Sequence, residues 1–67
     1  MRNELRRVKP DGTEVLYPLP DDLAEAMAEA RELAEWKFTK SQVHVRRFRD
    51  TENGERLDWE VLLVDVG

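Results

Sequence analysis

The spacing of apolar positions divides this chain into two pairs of short strands around one helix. Glu4 to Lys9 and Glu14 to Tyr17 flank Pro10-Asp11-Gly12, a type I turn signature with glycine in the left-handed position. These segments form a hairpin, and Pro18-Leu19-Pro20 is expected to end its second strand, because proline donates nothing to a ladder. From Leu23 to about Trp36 the period changes. Leu23, Ala26, Met27, Ala30, Leu33 and Ala34 fall on one helical stripe. Asp21 or Asp22 can cap this helix, and Asp22 to Glu25 has capping-box spacing. Half of the stripe is alanine, so the helix should lie close to whatever it covers. Lys37 to Ser41 is a short connection, after which Gln42 to Asp50 and Arg56 to Val66 read as strands around the hairpin signal Asn53-Gly54.

The order ββαββ predicts a single α+β domain over residues 1–67, with a four-stranded sheet and the helix packed on one face. Val61-Leu62-Leu63-Val64 is apolar on both faces and reads as a central strand. Placing it beside the first strand gives the order 2-1-4-3. That arrangement resembles the β-grasp architecture in shape alone, since no motif of that family is present.

Two registers are open for the second hairpin, and they differ by one residue. A two-residue loop sets Glu52 against Glu55, Phe48 against Trp59 and Arg47 against Glu60. A three-residue loop with a glycine bulge sets Thr51 against Glu55, Asp50 against Arg56 and Arg46 against Glu60. Both place acids of the last strand across from arginines of the third, where opposite charges contribute roughly 0.2–1 kcal/mol per pair. The bulged register also gathers Val43, Val45, Leu57, Trp59, Val61 and Leu63 on one face beneath the helix, and burial therefore favours it.

Composition narrows the chemistry. With 67 residues the chain is near the lower limit for a core without a staple, and it has no cysteine to supply one. No apolar run approaches the ~18 residues of a membrane span, and the N-terminal MRNELRR lacks an apolar signal region. A cytoplasmic protein is expected. The formal net charge of -4 opposes unspecific attraction to nucleic acid or anionic lipid. Arginine outnumbers lysine, which is uncommon in idealised computed sequences and favours a natural gene over a de novo design.

The stretch Val43-His44-Val45-Arg46-Arg47-Phe48-Arg49-Asp50 concentrates three arginines, a phenylalanine and the only histidine. Within this stretch His44 has no serine, cysteine or second histidine to work with. Asp21, Asp22 and the helical glutamates read as cap and solvated face. Three scattered glycines make no phosphate loop. No catalytic, cofactor or metal site is therefore expected.

Two candidate surfaces remain. Glu25, Glu29, Glu32 and Trp36 form one helical stripe opposite the apolar one, an acidic ridge ending in an indole that could dock a basic partner. Leu16, Phe48, Leu62, Val64 and Val66 cannot all join the covered face of the sheet, and an uncovered apolar face marks an interface such as a dimer contact. The leading expectation is a non-enzymatic domain that binds another protein or a second copy of itself, in the manner of a phage- or plasmid-type inhibitor of a host protein. The alternatives are a nucleic-acid-binding sheet using Arg2, Arg6, Arg7, Arg46, Arg47 and Arg49 with Phe48 stacked on bases, and a designed fold without a partner.

Overall fold

A computed structural model describes residues 1–65, and Val66 lies outside them. The elements are β1 (Arg2–Val8), β2 (Glu14–Leu19), α1 (Leu23–Trp36), β3 (Gln42–Thr51) and β4 (Gly54–Val64). The class and element order are those the sequence predicts: a four-stranded antiparallel sheet with one helix packed on it.

Both turns and the helix start follow local chemistry. The Gly12 amide donates to the Lys9 carbonyl at 2.9 Å, closing a turn with Pro10 and Asp11 at its centre and Gly12 at φ 89°. Asp22 is the helix cap, accepting the Glu25 amide at 3.0 Å. Ala26, Ala30 and Ala34 are the buried positions of α1, so the helix rides close to the sheet as its thin stripe demands. Pro18 lies inside β2 rather than ending it, which an edge strand permits because the missing N–H removes no central ladder bond.

The strand order is β2-β1-β3-β4, not 2-1-4-3, and the β-grasp likeness is thereby corrected. β1 pairs antiparallel with both β2 and β3, so those two run parallel and α1 crosses over β1 between them. The most deeply buried strand residues are Leu5, Val43 and Val45, on β1 and β3. A strand as charged as β3 can be central because acids flank it on both sides: Arg46 stands between Glu4 of β1 and Glu60 of β4. β4, apolar on both faces, is instead an edge strand. The helix lies over β1, β2 and β3 and leaves β4 largely uncovered.

The second hairpin follows neither of the two simple registers throughout. Thr51 faces Gly54 and Phe48 faces Leu57, whereas Arg47 faces Trp59 and Arg46 faces Glu60. The register shifts at Asp58, and again at Leu63, so that Val43 meets Val64. The middle of the hairpin therefore has the pairing that burial favours, with the extra residue at Asp58 instead of at the turn. Leu57 consequently leaves the helix side and lies opposite Phe48 on the other face. Trp59, Leu63 and Val64 pack half-buried at the margin of the core, and Val61 remains 39% exposed.

Two core contributions had no signal in the periodicity. Phe38, in the connection after α1, is buried and stacks on Tyr17 with ring centroids 4.7 Å apart, while the Arg7 guanidinium covers it at 4.7 Å. Asn3 is fully buried on β1. Its amide nitrogen donates to the carbonyls of Pro20 (2.8 Å) and Asp21 (3.1 Å), and its oxygen accepts from Arg47 at 3.1 Å. This one side chain ties the entry of the helix to the sheet.

Candidate interaction surface

The face of the sheet away from α1 is built in rows, because residues paired across strands share a face. One row runs Leu16, Arg6, His44, Leu62; the next runs Pro18, Glu4, Arg46, Glu60; a third holds Arg2, Phe48 and Leu57. The charged residues answer one another. Arg2 grips Glu55 with both Nε and Nη2, at 3.0 and 2.7 Å, and donates to Glu4 at 2.8 Å. Arg6 pairs with Glu14, and with Glu60 at 3.2 Å. Arg46 lies 3.5 Å from Glu4 and 3.0 Å from Glu60; its Nε is buried and off the line of a hydrogen bond to that nearer carboxylate. His44 Nδ1 stands 3.3 Å from the same Glu60 carboxylate.

Glu60 is thus the hub of this face, touched by Arg6, Arg46 and His44. The hydrogen bonds that Arg2 donates to Glu55 and Glu4 hold its guanidinium still more firmly in the charged form, and Arg2 in turn depresses the Glu55 carboxyl. Phe48 lies under two guanidinium groups, with Arg2 at 4.5 Å and Arg46 at 5.2 Å from its ring centre.

The arginines of the basic stretch are therefore placed in different settings. Arg46 is tied into the ion-pair lattice. Arg47 points to the helix side, where it holds Asn3 and contacts the Met1 sulfur. Outside that stretch, Arg7 of β1 donates to the Ser41 hydroxyl at 3.0 Å. Arg49, near the hairpin turn, is exposed and has no side-chain partner among the described residues. The apolar set is likewise divided. Leu16 (53% exposed) and Leu62 (43%) lie on opposite margins of the open face, separated by Arg6 and His44, and Phe48 is capped by arginines. Val64 lies at the core margin, opposite buried Val43.

The helix ridge is only partly gathered. Glu29, Glu32 and Trp36 border one shallow depression of about 310 Å³ with Leu33 and Lys37, whereas Glu25 is not among its walls. Trp36 is 74% exposed. A second open depression, of about 390 Å³, lies between the β1–β2 turn and the start of β3 and includes Lys9, Lys40 and Asp65. Among the described residues no group of histidine and acidic side chains suits a metal ion, and no helix is long and apolar enough to cross a membrane.

What the periodicity alone did not single out is the outer margin of β4. This strand is 11 residues long, the longest in the sheet, and among the described residues one side of its backbone ladder has no neighbour. Leu57 (48% exposed) and Leu62 project on one face, Val61 on the other beside half-buried Trp59. The available signal was the apolar run Val61 to Val64 itself. Two-sided apolarity marks a strand that is covered on both faces within its own chain, or one that awaits a cover from outside it. Comparison with protein-family models, with curated proteins and with solved structures returns no match.

Proposed function

We propose that this chain is a small non-enzymatic protein-binding domain of the cytoplasm that associates with a second copy of itself. The observation that carries this reading is the uncovered β4 margin, which combines an open hydrogen-bonding edge with apolar side chains on both faces. Long edges of this kind pair with another chain unless charge, proline or a cover prevents it. The ion-pair lattice on the open face weighs against nucleic acid as the partner, since Arg2, Arg6 and Arg46 are each held by carboxylates. Among the described residues the side-chain partners of His44 are Glu60 and Gln42, neither of which is a hydroxyl or thiol nucleophile.

Amide spectra of the labelled protein, recorded from low to high micromolar concentration, test the reading. Concentration-dependent shifts along β4 support it. Shifts confined to α1 around Glu29, Glu32 and Trp36 would move the contact to the helix ridge, and unchanged spectra throughout would end the self-association reading. The rival reading is checked by titrating a short fluorescent single strand of DNA at low salt, where the account expects no saturable binding at micromolar protein.

A further inference from the structure

Building on the self-association reading, we infer that two copies pair through β4, antiparallel, about a two-fold axis at Val61, to make one continuous eight-stranded sheet.

The two edges of the sheet are not equivalent. β2 is six residues long, carries Pro18 and is packed by α1. β4 has no proline and no lysine, and its charged residues Glu55, Arg56, Asp58 and Glu60 all precede the uncharged run Val61 to Val64. Between its register shifts at Asp58 and Leu63, the segment from Trp59 to Leu62 pairs regularly with β3 and so presents an even outer edge. A strand supplied from outside would complete that ladder.

A two-fold axis perpendicular to the sheet sets some residue of β4 opposite itself, and the side chains decide which. Centring on Glu60 brings two carboxylates face to face, an unfavourable arrangement. Centring on Leu62 sets the Trp59 indole against the Asp65 carboxylate. Centring on Leu57 pairs Arg56 with Asp58 but leaves Val61 to Val64 outside the overlap. Centring on Val61 places valine on valine within the regular segment, and Trp59 against Leu63 of the other copy at the register shift. On the opposite face it sets Glu60 against Leu62. No acid then stands directly opposite an acid. The nearest like charges are the two Glu60 side chains on a diagonal, and each is already paired with Arg6 and Arg46 of its own chain. The same step sets Val61, Leu62 and Leu63 beside side chains of the second copy and shields them along the outer edge of β4.

The chain has no cysteine, which makes the geometry directly readable. Opposed residues in an antiparallel pair have Cα atoms ~4.5–5.5 Å apart, within the ~4.4–6.8 Å span of a disulfide. Val61→Cys should therefore give a covalent dimer on mild oxidation, and Leu57→Cys, displaced by several residues from its own copy, should not. Val61→Lys sets two ammonium groups against each other and should weaken association roughly tenfold or more, with the circular dichroism of the folded chain retained. If Val61→Lys keeps the wild-type association, or Leu57→Cys crosslinks in place of Val61→Cys, the pairing is overturned while self-association itself stands. If the unmodified protein is monomeric at high micromolar concentration, both fall together.

Discussion

Asn3 and the two tryptophans show how differently single side chains serve this fold. Asn3 is polar yet fully buried, and all three of its hydrogen bonds go to groups that fix the helix entry or Arg47. Asn3→Ala would strand two carbonyls and a guanidinium, so it should cost ~1–3 kcal/mol, measured by urea denaturation. A cost below a few tenths of a kcal/mol would show that water replaces the amide without loss. Trp59 packs half-buried against the core margin, and Trp59→Ala should cost less than the ~3–5 kcal/mol of a fully buried indole but clearly more than Trp36→Ala. Trp36, being exposed, should change stability within about 0.5 kcal/mol when truncated. Acrylamide quenching of the two single-tryptophan variants separates them, and equal protection of both indoles in the monomer would contradict the placement. The exposure of Trp36 was legible from its helical spacing. Asn3 was not, because nothing local distinguishes a buried asparagine from a surface one.

At the scale of elements, local chemistry was readable and long-range pairing was not. Pro10-Asp11-Gly12 and Asp22 act through groups within three or four residues, and each does what its signature implies. The alanine stripe of α1 likewise sets how near the helix lies. Ala30→Leu should destabilise by ~1–3 kcal/mol through overpacking, in thermal or chemical unfolding, whereas a gain in stability would reveal a void beneath the helix. The sheet order depended on which strand could afford to be central. Apolarity on both faces of β4 suggested β4. The structure gives that place to β3, whose charges find acids on both neighbours and whose Val43 and Val45 carry the core. The register shift at Asp58 also escaped the sequence, because a bulge changes no residue type and only redirects Leu57. Phe38 was missed for a related reason, since it lies in a connection with no periodicity to mark its inward face.

For the whole molecule, the consequence is a sheet finished on one side only. The helix closes three strands, the ion-pair lattice occupies the open face, and the outer margin of β4 is left uncovered. The lattice also gives the molecule a pH dependence. Arg2 holds the Glu55 carboxyl below its ordinary value near 4.5, and the Thr13 amide does the same for Asp11. A carboxyl depressed on folding stabilises the fold above its unfolded value, and that contribution is lost as pH falls through the folded value. Stability should therefore decline on acidification below about pH 4.5, and Glu55→Gln should make that decline shallower. An unchanged acid profile in Glu55→Gln would place the sensitivity elsewhere. The most direct measurement of the central claim is the mass of the unmodified protein by sedimentation equilibrium across a hundredfold concentration range. The account predicts a rise from the 7.9 kDa of one chain towards about twice that value at high micromolar concentration. A mass that stays at one chain throughout would contradict it.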